Sequence, residues 1–449
     1  NGTSSQKFTV SCWVKRSQEG STGALWGSGS STTDGCDLFI QTNGELGFES
    51  WDTSTNPKVI TTRKLVDPSA WYHIVLAVDT TQGTASNRLK MYINGVQETL
   101  FGIAETYPAQ NYNFMVSTTN DIMKFGVGGQ YATSYFNGIM SYAAFIDGTQ
   151  ELPTVFGETD ATTGQWKIKT SITPSVAWGT NGCLVLKDGN SLTDASPNSN
   201  NFTVAGGTLT NTEDCPDNVF ATWNSLNYNL TAITLSNGNT KMNGTNNASY
   251  PNAITSLGIP KSGKWYAEFK QAGTQGFVLG IGDMPTFIDA LRTDTTATIF
   301  TTGGSGVAIF RSAGDVIISG SDFNNVTPAF SSNDIAMIAY DPANGAIYFG
   351  RNGTWGSVGG VVGDPTSGAS RTGAINISAQ SWFTTSQEQG FLVGVASNGQ
   401  YAIIEANFGN GTFGTTAVTS AGTNASGNGI FEYDVPTGYT ALSTKGLNL

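Results

Sequence analysis

The sequence predicts an all-β protein made of two tandem antiparallel β-sandwich (jelly-roll) domains, and three observations carry that prediction. Only 12% of its 449 residues are charged, while 11% are aromatic and 56 are glycine. That balance suits strands rich in Val, Ile, Thr and aromatics, joined by Gly and Asn turns. Apolar and polar residues alternate in short runs, and nothing before about residue 160 sustains a 3.6-residue period. Asn-Gly dipeptides fall between such runs, where a tight hairpin needs residues that tolerate positive φ. A chain of this length also exceeds one compact core.

Taken in order, FTVSCWVKR (8–16) alternates as a half-buried strand does. DLFIQTNGELGFESW (37–51) reads as two strands around Asn43-Gly44, a type I′ hairpin signal. WYHIVLAVD (71–79) is an apolar strand, RLKMYINGVQETL (88–100) a hairpin turning at Asn94-Gly95, and YFNGIMSYAAFIDGTQEL (135–152) one or two strands more. These runs make a first domain of residues 1–160. Residues 161–220 loosen into Thr, Ser, Asn, Gly and Pro and read as a connector, in which NGCLVLKDG (181–189) can supply an edge strand to the first domain. Strands resume over 221–449 as GKWYAEFKQ (263–271), GFVLGIGD (276–283), GVAIFRS (306–312), DIAMIAYDPANGAIYFGRNGTW (334–355), GFLVGVASN (390–398) and YAIIEANFG (401–409). LKMYINGV and AIYFGRNGTW echo one another, as any antiparallel hairpins selected for Asn-Gly would.

Net charge is −12 with no Lys/Arg-rich run, so the electrostatic footprint of a nucleic-acid binder is missing. No apolar stretch approaches the ~18–20 residues of a membrane-spanning helix. The opening NGTSSQKFTV carries no basic-then-apolar run of the signal-peptide kind. Expected partners therefore include neither nucleic acid nor an inserted membrane. Cys12, Cys36, Cys183 and Cys215 lack CxxC spacing and His73 is the one histidine, which argues against a Cys/His zinc site. Four cysteines allow three pairings, but in so long a chain they suit free, mostly buried thiols. His73 alternates with Tyr72 and Ile74, no G-x-S-x-G motif accompanies it, and it reads as structural. Trp13, Trp71 and Trp265 lie within strand patterns and read as core. The ten N-x-[ST] triplets, Asn201, Asn352 and Asn410 among them, read as turn chemistry.

The strand motifs FTVSCWVKR, AWYHIVLAVD and RLKMYINGVQ together resemble the concanavalin A-like, laminin-G type jelly roll over residues 8 to about 150. GKWYAEF, GFVLGIGD, IAMIAYDPANGAIYFGRNGTW and EANFGNGTF resemble the SPRY domain over about 221–442, through Trp265, Tyr266, Glu268, Asp341, Asn352-Gly353 and Asn407-Phe408-Gly409. The tandem, joined by FGETDATTGQWKIK (156–169) and then NFTV, is similar to virion fibre or surface proteins of tailed bacteriophages. That resemblance implies a fibre or spike on the virion exterior, tail or capsid, made in the bacterial host cytoplasm. It also implies other virion proteins as partners and a homo-oligomer, a trimer by analogy.

Candidate site residues follow from chemistry. A sugar packs its C–H face on an exposed ring and bonds its hydroxyls to nearby polar groups. Trp51 and Asp52 in WDTSTNPK, Tyr131 and Tyr135 in GGQYATSYFNG, and Trp355 and Trp382 beside Gly/Ser-rich loops are the candidate ligand contacts. The laminin-G resemblance implies Ca²⁺ at the sandwich rim, with Asp79 and Asp121 as candidate ligands, although no D-x-[DN]-x-[DN]-G loop is present. No cofactor is required. The glucanases of the superfamily carry an E-x-D-x-x-E cluster. Glu158-Thr-Asp160 meets Thr163 where the second Glu belongs, and Glu432-Tyr-Asp434 fails likewise at Thr437. The loss of an acid/base residue removes a contribution of about 10²–10⁴-fold. The expectation is a non-enzymatic virion protein adhering to a host surface polysaccharide or protein. Its alternatives are a capsid decoration or capsid-fibre protein, and a secreted carbohydrate-binding module or glycoside hydrolase.

Overall fold

In the computed structural model the described residues are 2–448 apart from 18–19, 21, 30–33, 53–55, 103–104, 117–120, 130–133, 173–175, 188, 190, 207–208, 226–232, 245–251, 274–275, 286–305, 386–387 and 396–400. The chain divides into two units, Asn1–Leu209 and Thr210–Leu449. Each is built from largely antiparallel sheets, and among the described residues the helices are short, such as Ala85–Arg88 and Ser381–Thr385. The all-β class read from the sequence is the class observed.

The strands of the first unit are β1 (Lys7–Arg16), β2 (Gly23–Gly29), β3 (Gly35–Ile40), β4 (Glu45–Trp51), β5 (Lys58–Lys64), β6 (Tyr72–Asp79), β7 (Leu89–Ile93), β8 (Val96–Gln97), β9 (Ile122–Phe125), β10 (Gly138–Asp147), β11 (Gly157–Thr159), β12 (Trp166–Ile168) and β13 (Cys183–Val185). One sheet has the order β13-β10-β1-β6-β7-β8, the other β5-β4-β3-β2-β9. Phe8, Val10, Cys12 and Val14 of β1 point into the space between them and join Leu25, Leu38, Phe48 and Val59 in one core. Thr9, Ser11, Trp13 and Lys15, on the opposite face of β1, are buried too. The half-buried strand expected from alternation is therefore buried on both sides. The cause lies beyond residue 147, where Phe156, Val176 and Trp178 fold back over Val75, Ala77, Ala144 and Ile146. Within this returning stretch, β13 pairs with β10 at Ala143↔Val185 and Phe145↔Cys183, and residues 161–209 lie in the first unit.

Turn geometry differs between the Asn-Gly pairs. Asn94 and Gly95 both have positive φ, 50° and 79°, as a type I′ turn demands. At Asn43-Gly44 only Gly44 does, at 88°, and its N–H bonds to the Gln41 carbonyl at 2.9 Å. This is a longer loop closed on a left-handed glycine, because the Gln41–Glu45 pair that seals the hairpin leaves three residues between its strands.

In the second unit the strands are β14 (Ile233–Ser236), β15 (Lys241–Gly244), β16 (Asn252–Ile254), β17 (Trp265–Gln271), β18 (Phe277–Asp283), β19 (Val307–Arg311), β20 (Val316–Ile318), β21 (Ser321–Phe323), β22 (Ile335–Asp341), β23 (Ala346–Arg351), β24 (Thr354–Trp355), β25 (Ser357–Val358), β26 (Val361–Val362), β27 (Ile375–Asn376), β28 (Gln389–Val395) and β29 (Ala402–Asn407). Sheets β14-β15-β29-β17-β22-β23-β24 and β16-β28-β18-β19-β20-β21 share a core that includes Trp265, Phe269, Phe310, Ile338 and Phe391. A second apolar layer, with Phe220, Tyr348, Phe431 and Tyr439, lies against the outer face around Tyr266 and Ala339. All four cysteines are free; three are buried and Cys215 is half-buried.

The turn at Asn94-Gly95 carries the fold of the returning segment. A Cβ at Gly95 would sit 2.5 Å from a carbon of the Trp166 ring, and a positive φ strains any replacement. Gly95→Ala is expected to lower the stability of the first unit by about 2 kcal/mol, read from urea unfolding followed by tryptophan fluorescence.

Candidate functional site

The outer face of the five-stranded sheet is assembled by register. Residues directly opposite one another share a face, so Glu49 stands between Lys58 of β5 and Asp37 of β3, and Asp37 faces Gly27, which faces Lys124. One row along, Trp51 faces Gly35; on the other side Phe39 faces Gly47, which faces Ile60. Lys58 Nζ bonds Glu49 Oε2 at 2.6 Å. The Phe39 ring lies across Gly47, where a Cβ would meet three of its carbons within 3.2 Å. Trp51, Phe39, Glu49 and Lys58 are all partly exposed. Next to Trp51, Tyr112 Oη donates to Asp52 Oδ2 at 2.6 Å. Burial and then this bond to the carboxylate push the Tyr112 hydroxyl well above its usual range.

Asp37 and Glu49 have unlike environments, as an acid/base pair requires. Burial pushes Asp37 up to about 6, whereas Glu49 is ion-paired. Gly129, however, crosses over this position: its N–H donates to Asp37 Oδ1 at 2.5 Å, and Asp37 is 4% exposed. A covered carboxyl has no route to a glycosidic oxygen.

Of the residues singled out from sequence, Trp51 lies on this face, whereas Asp52, the next residue, is bonded to Tyr112, which packs with Ser50 and Phe114 on the core side of the sheet. Tyr131 lies outside the described residues. Tyr135 is exposed and pairs at Ala24, at another place on β2. Trp355 is half-buried, with Tyr266 and Tyr348 edge-on to it at 6.3 and 6.5 Å. Trp382 must be corrected: the short helix Ser381–Thr385 turns it into the core at 5% exposure, so its ring offers no face to a ligand. Phe39 and Glu49 were not singled out. Glu49 alternates with the apolar Leu46 and Phe48 of β4, but Phe39 puts an apolar side chain on the polar set of β3, where alternation does not mark it as outward.

Asp79 is occupied by its own turn, accepting from Thr81 N and Oγ1 at 3.0 and 2.5 Å and from Gln82 Nε2 at 2.7 Å, with Lys7 Nζ at 3.4 Å. Asp121 lies on the other sheet, just before β9, which pairs with β2. Among the described residues no three His, Cys, Asp or Glu side chains group as a metal site. Glu158 and Asp160 reach one cation, Lys167 Nζ, at 3.6 and 3.1 Å on the exposed β11–β12 hairpin. Asp160 also accepts from the N–H groups of Thr162 and Thr163, which hold its carboxyl well below the usual range. Glu432 and Asp434 cap Thr419 N and Thr423 N. Asn352 caps Ile335 N with its side-chain oxygen at 2.8 Å, and Asn410 is 4% exposed; both serve turns.

His73 is fully buried, stacked on Trp13 at 4.7 Å, with the Trp166 indole nearly parallel to it at 5.9 Å. Trp166 Nε1–H donates to its Nδ1 at 3.0 Å, so the ring proton sits on Nε2 and donates to Ser11 Oγ at 2.9 Å. Burial lowers His73 to about 3. In the second unit Glu268 is the corresponding buried polar anchor. It accepts from Tyr266 Oη at 2.9 Å and from the N–H groups of Glu432 and Tyr433 at 2.8 and 2.9 Å, and burial still raises it to about 7.

Two pH dependences of opposite sign follow by linkage. Folded His73 holds its proton more weakly than an unfolded histidine, so its contribution is complete above pH 6.5 and is lost as pH falls toward 3. The single histidine C2–H resonance is expected not to titrate between pH 5 and 8; a midpoint near 6.5 would place the ring in water. Glu268 holds its proton more tightly when folded, so stability falls as pH rises from 4.5 toward 7. Glu268→Gln should gain on the native chain in thermal melts from pH 5 to pH 8, and a constant difference would contradict the assignment.

Residues 1–155 match a family model described as Concanavalin A-like lectin/glucanases superfamily. A comparison with curated proteins gave no match. Among solved structures, the SPRY domain of human HERC1 is 14% identical, with 39% of this chain and 91% of that one covered and a TM-score of 0.27. The CBM40 of a Ruminococcus gnavus IT-sialidase, bound to α2,3-sialyllactose, is 18% identical over 30% and 74% at a TM-score of 0.24. Domain 4 of AbnA, a GH43 extracellular arabinanase from Geobacillus stearothermophilus in complex with arabinotriose, is 21% identical over 33% and 64% at 0.26. At such scores the fold rests on the strand order and register above. Residues 1–155 are thus a stretch similar to the concanavalin A-like lectin/glucanases superfamily.

Proposed function

We propose that this chain is a non-enzymatic adhesion protein, carried on the exterior of a bacteriophage particle, that binds a glycan of the host surface through its first unit. The observation that carries the glycan reading is the partly exposed group of Trp51, Glu49 and Lys58 on the outer face of the five-stranded sheet. A ring takes the C–H face of a sugar while the carboxylate accepts its hydroxyl protons and the ammonium donates. Binding without turnover is supported by the cover over Asp37 and by the engagement of both Glu158 and Asp160 with Lys167. The place on a virion, in a homo-oligomer among other virion proteins, is supported by the resemblance of the tandem to phage surface proteins. A symmetric assembly would present several copies of the face at once.

Two measurements test this reading. On an array of bacterial envelope polysaccharide fragments the chain is expected to bind, Trp51→Ala to weaken binding about tenfold or more, and no reducing ends to be released on prolonged incubation. Release of reducing ends would replace adhesion by hydrolysis. Immunogold electron microscopy of phage particles, with antibody to residues 221–449, should label tail tips or fibres. Label over the head would favour capsid decoration, and unlabelled particles would remove the virion assignment.

A further inference from the structure

We propose that the outer face of β3–β5 takes an uncharged, linear oligosaccharide laid along the strands, with Trp51 and Phe39 as two separate stacking platforms and the Glu49–Lys58 pair between them. The proposal deepens the glycan-binding reading and rests on it. Trp51 faces Gly35, and Phe39 lies four residues further along the same strand as Gly35. At about 3.3 Å per residue the rows that bear the two rings stand roughly 13 Å apart along the sheet. A single sugar ring cannot touch both; a chain of sugars can. Gly35 and Gly47 carry no side chain on this face, and at Gly47 that absence makes room for the distal carbons of the Phe39 ring. An exposed aromatic ring on a sheet face can stack on the C–H face of a pyranose.

The stretch between the platforms is polar. Glu49 and Lys58 stand directly opposite each other with side chains 17% and 41% exposed, so a carboxylate and an ammonium are available to hydroxyls of the central units. Charge selects against an acidic chain, because the whole molecule carries −12. A polyanionic glycan meets repulsion at long range.

The test is titration calorimetry of the full chain with a homologous series of neutral oligosaccharides, from the monosaccharide upward, taken from a polysaccharide the chain binds. Affinity is expected to be negligible for the monosaccharide and to step up at the length that spans both rings. Phe39→Ala should abolish that step and weaken long ligands at least tenfold, Trp51→Ala should do the same, and Phe39→Tyr, which keeps the ring, should retain both step and affinity. Glu49→Gln should weaken binding several-fold, and sialylated or sulfated analogues should bind at least tenfold less tightly than their neutral parents. Loss of binding in Trp51→Ala with no effect of Phe39→Ala, each folded by circular dichroism, would reduce the site to a one-ring contact and overturn the proposal. Tighter binding of anionic ligands would overturn its charge argument. Wild-type binding untouched by either ring variant would move the site elsewhere while leaving the glycan reading intact; no binding by the native chain to any glycan would end both.

Discussion

The bond from Trp166 to His73 fixes the architecture of the first unit. A six-stranded sheet in a two-layer sandwich ordinarily leaves one face to water, but here that face carries Trp13, Val75, Ala77 and Tyr92, which water would solvate poorly. The returning chain covers them, and His73 is where it is pinned. The imidazole is satisfied on both nitrogens and stacked on Trp13, so a change in the returning hairpin reaches β1 through Ser11 and β6 through the ring itself. The outer face of the other sheet stays partly exposed at Phe39, Glu49, Trp51 and Lys58.

The second unit meets the same need with different groups. Asn94 and Asn352 occupy equivalent turn positions. Each backbone N–H bonds the carbonyl of the neighbouring strand, His73 or Ile335, at 2.9 Å, and each side-chain oxygen accepts the N–H of that same residue at 2.8 Å. The following glycine lies under an aromatic ring in both cases, Trp166 over Gly95 and Tyr433 over Gly353. The segment bearing that ring is anchored to a buried polar side chain, His73 in one unit and Glu268 in the other. The echo between LKMYINGV and AIYFGRNGTW is thus a shared structural device, whatever its origin.

Much of the fold was legible because alternation and turn chemistry are local. β1, β3, β4, β6 and β7 and eight strands of the second unit (β17–β19, β22–β24, β28 and β29) follow from apolar-polar runs, some of them bounded by Asn-Gly, and Trp13, Trp71 and Trp265 are buried as their patterns suggest. What stayed hidden depends on contacts distant in sequence. His73 and Trp166 are 93 residues apart, and nothing near either announces the other. The site was half legible. Trp51 and Asp52 stand out beside a polar loop, but Phe39 sits between Leu38 and Ile40, and only the opposite sheet decides which of the three faces outward. Trp382 was misread because a Gly/Ser-rich neighbourhood suggests a loop, whereas one helical turn carries the ring inward.

The buried thiols bear on where such a protein can exist. Burial pushes Cys12 up to about 12, and it raises Cys36, Cys183 and Cys215 as well. A thiol held protonated is a poor nucleophile and a poor target for oxidants. The fold owes nothing to a cross-link that a reductant could cut, and it offers little thiolate for an oxidant to attack. The same molecule can therefore mature in a reducing compartment and endure in aerated water without any change in its covalent structure.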